Sequence, residues 1–533
     1  MKNPKAVHHE RGRKIHPELS PSEGVDSAKP HLMDGKTRML VIVASLLALF
    51  LGALDALVVG AAMPTIVAEL GGLSLYSWVF SSYLLARAIS LPIFGKLCDL
   101  FGSKKLYIAA IAIFVVSSIL AGAARSMTQL IVFRALQGIG AGGNFALAYI
   151  VVADLSSPEK RGKMMGFISF VWGIASLMGP AMGGFIVSYW SWPWIFYINV
   201  PVGGLALLGI MFYLKDTHRG KADGTVDYAG ALTLSAAVLG LLTAFMLAGR
   251  TYTWLSPQIL CLLGVSAAAV AAFIHVERKA KDPILELSFF RIPGFSLGNA
   301  GAFFSSFAIF SLSSFSPLFI QGALGKTPAQ LGVAMIPLSL GWSAGALLCG
   351  QLVRHPHEKS FSLLGAVTLV VSSGLTLTFS PSTSLPACAL VFGLAGLGMG
   401  FVSIATLLIV QRSLEPSDLG VATSSHQFAR TLGGTVGIGV AGSFVTERIT
   451  QSMDTMMRSP LGSVVPESLA AQLTENVQSL FQPEIQAVLP EAVLNALQGA
   501  VGQGMEMVFL AVFGASLVSL FFCLFLPAFK RSS

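Results

Sequence analysis

Four ionisable side chains interrupt stretches of this chain that are otherwise apolar. Asp55 lies in LDALVVGAAMPTI (Leu54–Ile66), Arg87 in the next apolar run, Arg134 at the head of RALQGIGAGG (Arg134–Gly143), and Arg430 beside His426 and Gln427 in a later run. Runs of about 20 apolar residues are long enough to cross a bilayer. An ionisable group inside one is expensive to keep and is a functional candidate once a partner can be named. Asp55 stands about eight residues, and Arg134 about six, from the outer ends of their runs, roughly 12 and 9 Å at the helical rise. At comparable depth the two can meet. Desolvation makes a carboxylic acid hold its proton and an adjacent guanidinium makes it let go, so the pair can poise Asp55 to take or release a proton. The alternative is a static ion pair that locks the helices. Arg87, nearly mid-run, has three roles open to it: pairing with Asp55, competing with Arg134 for it, or meeting an anionic substrate.

Other residues could line a path for a solute. Asn299, Phe303, Phe307 and Phe310 recur at helical spacing on one face. Such a stripe suits a cavity for flat apolar solutes; packing or lipid-facing phenylalanines would produce it too. Asn144, Arg87, His426, Gln427 and Arg430 complete the candidate cavity set, with His426 equally readable as a packing histidine.

The elements that must hold these residues follow from composition. Of 533 residues 54% are hydrophobic and 11% charged, the mean hydropathy is +0.73, and soluble domains carry about 25% charge. Fourteen apolar runs fit transmembrane helices, at about 39–63, 76–95, 105–123, 128–152, 164–188, 194–214, 227–247, 258–276, 295–319, 329–351, 361–379, 386–410, 420–445 and 504–527. The net charge of +8 is not spread evenly. Lys and Arg gather in residues 1–38, in alternate loops around Lys96 to Lys105, Lys160 to Lys163, Lys215 to Lys221, Arg278 to Lys281 and Arg354 to Lys359, and at Lys530 and Arg531. With an even number of spans, those loops share a side with both termini, and the positive-inside rule puts that side in the cytoplasm. The basic charge is thus a matter of topology, and no nucleic-acid partner is expected.

We expect an all-α polytopic protein of the cell membrane: a disordered cytoplasmic tail (1–38), a six-helix bundle (39–214), two inserted helices with linkers (215–290) and a second six-helix bundle (291–533). The halves echo each other weakly, GKLCDLFGSKK after the second run and GQLVRHPHEKS after the tenth, as repeat-built transporters do. An outer segment, 447–502, has apolar residues at helical spacing in ESLAAQLTENVQSLF and EAVLNALQ, and short amphipathic helices over the outer opening are expected there.

Several classes are excluded. The cysteines Cys98, Cys261, Cys349, Cys388 and Cys523 show no C-x-x-C spacing, so neither a disulfide nor a metal site is expected. Paired carboxylates, an H-E-x-x-H helix or a nucleophile with its base would mark an intramembrane enzyme, and none is found. The tripeptide GKT at Gly325 lacks the earlier glycine of a phosphate loop, Ile320 standing in its place; no use of ATP is expected.

The quoted segments also carry a family resemblance. GKLCDLFGSKK (Gly95–Lys105) resembles the cytoplasmic loop motif of the major facilitator superfamily, RALQGIGAGG its span 4 motif, and GIASLMGPAMGG (Gly173–Gly184) the span 5 motif of its antiporters. LDALVVGAAMPTI and WPWIFYINVPVG (Trp192–Gly203) are similar to the span 1 and span 6 segments of fourteen-span drug:proton antiporters of the EmrB/QacA type. The resemblance implies the major facilitator fold with fourteen helices, proton-coupled efflux of small amphipathic compounds by alternating access, the proton as coupling ion with no cofactor, and a monomer. An exporter of lipids or anionic metabolites is the other reading. It further implies a gating role for Gly95, Asp99, Gly102, Lys104 and Lys105, and a seal between halves at Gly173, Gly179, Pro180, Gly183 and Gly184. The small-residue spacing of Gly179 and Gly183 suits close helix approach, and Pro180 can bend the helix. Leu100 and Ser103 depart from the basic residues usual in the loop motif, leaving Lys104 or Lys105 to supply the cation.

Overall fold

The computed structural model describes residues 34–70, 75–215, 227–248, 252–326, 328–353, 357–415, 418–457 and 491–527. The tail 1–33 and the segment ESLAAQLTENVQSLF lie outside them. The first half consists of α1 (Gly35–Leu70), α2 (Tyr76–Phe101), α3 (Ser103–Gly122), α4 (Met127–Asp154), α5 (Pro158–Tyr189), α6 (Trp194–Tyr197) and α7 (Asn199–Tyr213). Two helices follow, α8 (Tyr228–Leu247) and α9 (Pro257–Glu277). The second half comprises α10 (Pro293–Leu318), α11 (Pro328–Leu352), α12 (Glu358–Thr376), α13 (Leu385–Ser413), α14 (Leu419–Met457) and α15 (Glu491–Leu524). Pro317 near the end of α10 removes a backbone donor, and the chain passes there into a π-helical turn, Phe319–Ala323.

Each of the fourteen apolar runs lies on helix, the sixth divided between α6 and α7. Among the described residues, 11 helices are long and apolar enough to cross a membrane; α2, α5 and α14 are not in that set. EAVLNALQ, expected as a separate amphipathic piece, is instead the first two turns of α15. Its Val493 continues the stripe of Val501 and Met505, all buried against the second-half core, so the helix has reason to start well before the apolar run.

One packing scheme occurs twice. In the first half α1 lies against α5 and α7, α2 against α4, and α3 against α4 and α7; in the second, α10 lies against α14 and α15, α11 against α13, and α12 against α13 and α15. Glycines make both schemes work. On α4, a Cβ at Gly138 would collide with the Tyr83 carbonyl of α2, and one at Gly140 would stand 2.6 Å from the Phe114 amide of α3. On α13, Gly396 abuts the Leu338 carbonyl of α11 in the same way, and Gly398 would place a Cβ 2.8 Å from the Gly365 carbonyl of α12. The spacing is identical, QGIGAG at Gln137–Gly142 and AGLGMG at Ala395–Gly400. The inserted pair α8 and α9 pack on each other, and α8 also touches α2 and α14.

The halves meet along two seams, α5 with α11 and α2 with α14. In the first, Gly162 and Gly166 would place a Cβ 3.0 Å from the Gly350 carbonyl and 2.9 Å from the Ala346 carbonyl. In the second, Gly95 leaves room only for Ser424, while a Cβ on Gly420 would stand 2.7 Å from the Gly95 carbonyl. Both seams are tightest at the end of the molecule that carries the basic loops.

The close packing at α13 is directly testable. Gly396→Val forces methyl groups into the Leu338 backbone, and overpacking of this kind costs about 1–3 kcal/mol. Gly264→Val on α9, where nothing lies within 4 Å of a new Cβ, should be nearly neutral. Thermal unfolding midpoints of the two variants in one detergent check this; equal midpoints would contradict the packing.

Candidate functional site

Asp55 on α1 is fully buried and accepts three hydrogen bonds. Arg134 Nη1 donates to Oδ2 at 2.6 Å. Gln137 Nε2 and Asn199 Nδ2 each donate to Oδ1 at 2.9 Å. The same two amides also reach Ser118 Oγ, at 2.6 and 3.1 Å. Arg134 Nη1 donates again to Gln137 Oε1 at 2.8 Å, its Nε points at the Val79 carbonyl at 3.4 Å, and its guanidinium lies 4.1 Å from the centre of the Tyr83 ring. None of Asp55, Arg134, Gln137, Ser118 and Asn199 is more than 1% exposed. Desolvating two charges is expensive, and such a pair survives only with good geometry and its remaining polar atoms satisfied. The two amides and the Tyr83 ring do that here.

Asp55 and Arg134, placed at comparable depth from sequence spacing, are thus in contact. The amides and Ser118 went unnoticed in the sequence, yet two had a signal. Gln137 is three residues from Arg134 and so on the same helix face, and Asn199 is a polar residue set among apolar ones in WIFYINVPVG.

Arg87 has no carboxylate partner among the described residues. Its guanidinium stacks on Phe145 at 4.5 Å and Trp172 at 5.2 Å, and its Nε has no partner. Arg430 donates from Nη1 to Gln427 Oε1 at 3.1 Å and lies 5.5 Å from the Trp342 ring centre. Trp342 meets Phe310 edge-on at 5.8 Å, so that end of the aromatic stripe joins the Arg430 cluster. The rest of the stripe is close to α14: the Phe303 and Phe307 backbones abut Gly433 and Gly437. Asn299 donates to the Phe295 carbonyl of its own helix at 2.9 Å. His426 is buried with Nε2 2.9 Å from Thr406 Oγ1, facing α13. Asn144 is buried with neither amide atom partnered.

At the basic end, Asp99 caps α14. Its carboxylate accepts from the Gly420 and Val421 amides at 3.1 and 3.0 Å, where the partial positive charge of a helix N-terminus favours an anion. Gly102 supplies the turn into α3 with φ of 85°; Lys104 is half-buried and Lys105 exposed, while Leu100 and Ser103 are buried. On α5, Gly173 makes room for the Ser343 side chain of α11, across the seam. Gly179 does not: a Cβ there would stand 2.7 Å from Leu57 of α1, inside the first half. Gly183 is buried, and the surroundings of Pro180 and Gly184 lie outside the described residues. Close approach between halves therefore falls to Gly162 and Gly166, nearer the start of α5, and to Gly173 of the glycines singled out from the sequence.

Many apolar helices in two similarly packed sets, with a charged network enclosed in one, define a multi-pass membrane transporter. Comparison with known proteins makes the class specific. A profile of the Major Facilitator Superfamily matches residues 45–438, and the chain belongs to that family. It is 35% identical over 512 residues to the multidrug transporter protein MdtP of Bacillus subtilis (strain 168), covering 93% of this chain and 94% of that one. It is 34% identical over 472 residues to multidrug resistance protein 3 of the same organism, covering 88% and 91%. It is 32% identical over 463 residues to the efflux pump dotC of Dothistroma septosporum, covering 85% and 80%. The crystal structure of the human organic anion transporter MFSD10 (TETRAN) shares the fold, with a TM-score of 0.60 at 17% identity over 91% of this chain and 99% of that one.

The enclosed pair makes a testable demand on stability. Removing one member of a buried pair costs about 3–5 kcal/mol because the other charge is left uncompensated. Arg134→Gln should therefore lower the thermal unfolding midpoint more than the double variant Asp55→Asn with Arg134→Gln. If the double variant is the less stable of the two, the charges are not interdependent.

Proposed function

We propose that this protein is a proton-coupled exporter of small amphipathic compounds, a fourteen-span drug:proton antiporter of the EmrB/QacA type, working by alternating access as a monomer in the cell membrane with both termini in the cytoplasm. The observation that carries the reading is the donor pattern at Asp55. A carboxylate only accepts hydrogen bonds, whereas a carboxylic acid must also donate one. Three donors converge on Asp55, one of them the Arg134 guanidinium on Oδ2, so an arriving proton removes the charge that holds Arg134 and weakens the whole set. The contacts at stake join α1 to α4 and α7. Protonation is in this way coupled to helix position, as exchange of a proton for a solute requires.

Supporting observations come from elsewhere in the chain. Relatives covering most of its length are called multidrug transporters and efflux pumps. The fourteen apolar runs all fall on helix. The seams are tightest at the basic end, which the positive-inside rule assigns to the cytoplasm; closure there suits a carrier facing outward. In the cycle we propose, a proton from outside reaches Asp55, substrate departs, the empty carrier turns inward, and Asp55 gives up its proton inside. One proton crossing 100 mV supplies roughly 2.3 kcal/mol, about a fortyfold gradient at 1.4 kcal/mol per decade. The gradient alone drives the cycle, with neither ATP nor a cofactor.

Asp55→Asn keeps the shape of the side chain and removes the titrating group. It should abolish export driven by a pH gradient in proteoliposomes while the variant still inserts, and Arg134→Ala should fail likewise. Undiminished uphill transport by Asp55→Asn removes this residue from the mechanism.

A further inference from the structure

The centre of the molecule holds two guanidiniums from opposite halves, neither ion-paired with an acid among the described residues. Arg87 lies about eight residues beyond Gly95 on α2 and Arg430 about six beyond Ser424 on α14, so both stand roughly 10 Å past the α2–α14 seam, on the side away from the basic end. Tyr149 of α4 has its hydroxyl beside Arg430 and Gln427 and is near enough to Arg87 to interact with it electrostatically, and Arg430 senses Arg87 in the same way. Arg87 is 8% exposed and Gln427 1%. The buried acids among the described residues are Asp55, Asp99, Glu277 and Glu358. Asp55 is taken by its donors, Asp99 by the α14 N-terminus, Glu358 by Arg412, and Glu277 by the Leu285 amide at the far end of α9. Asp55 acts on Arg87 only from a distance, and none of the four is ion-paired with Arg87 or Arg430.

Unpartnered atoms there are chiefly donors. Arg87 Nε, Arg430 Nε, Gln427 Nε2 and Trp172 Nε1 are buried without a hydrogen-bond acceptor. A buried donor left unsatisfied is costly, and four in one region call for a ligand rich in acceptors. Phe145 and Trp172 flank one guanidinium and Trp342 the other, which leaves flat apolar walls around a positive centre.

We infer that Arg87 and Arg430, walled by Phe145, Trp172 and Trp342, form the binding site for the carboxylate of an amphipathic aromatic anion, the substrate class this carrier moves. The inference rests on the export reading above and narrows it. A planar carboxylate matches the fork of a guanidinium, and one that bridges the two arginines ties α2 to α14. It also relieves their mutual repulsion. Cationic solutes find no counter-charge at this centre.

Equilibrium dialysis of 2-naphthoate and its uncharged isostere 2-naphthamide against the full chain in nonionic detergent tests the site. Naphthoate should bind at least about tenfold tighter than naphthamide. Arg87→Gln and Arg430→Gln should each erase that preference, and Arg87→Lys should keep part of it. Equal binding of acid and amide by the unmodified chain overturns the inference whatever the variants do, and so does a preference that survives in folded Gln variants. Selective naphthoate binding without uphill movement in a pH gradient would sink the coupling reading and leave the site standing. Gradient-driven export of other amphipathic solutes, with acid and amide bound alike, would do the reverse.

Discussion

A carboxylate removed from water must be surrounded by donors, and the first half of this protein is arranged around meeting that demand for Asp55. The donors come from α4 and α7, and Ser118 of α3 holds the two amides in place. Four helices must therefore converge on one point, and they can do so only if their backbones come close. The α4 glycines allow that approach toward α2 and α3. Chemistry and packing are thus not separable here. The segment that supplies Arg134 and Gln137 also supplies Gly138, Gly140 and Gly142, one turn further on.

The second half repeats the packing without the charge. Phe392 and Ala395 stand on α13 where Arg134 and Gln137 stand on α4, taking the shared glycine spacing as the register. Both are fully buried. One half thus encloses an ion pair at this level while the other encloses an apolar core. In this register the asymmetry follows from side chains placed on a common helical frame.

Much of this was legible beforehand, and the limits have physical causes. Charge in an apolar run is conspicuous, and counting residues from the run ends brings Asp55 and Arg134 to comparable depth, while leaving Arg87 open as a rival partner. Glycine-rich motifs were conspicuous too. Which neighbour each glycine faces was not, because that depends on helix rotation; Gly179 turned out to face α1, and Gly162, outside the quoted motif, faces α11. The QGIGAG and AGLGMG repeat is present in the sequence and is a closer match than the loop echo. Asn199 and Ser118 are ordinary polar residues until the fold brings them to one carboxylate. The start of α15 was missed because its first turns are amphipathic: they pack on protein with one face, so overall hydropathy understates them.

Where α5 crosses α11 near the basic end, main chain meets main chain, Gly162 against Gly350. Interlocked side chains must leave their rotamer wells before they can slide, and each such step adds a barrier. Two bare ribbons of peptide have nothing to unlatch. The side chains that would resist a change of tilt lie elsewhere, in Ser343 seated on Gly173 further along this seam and in the Asp99 cap on the other.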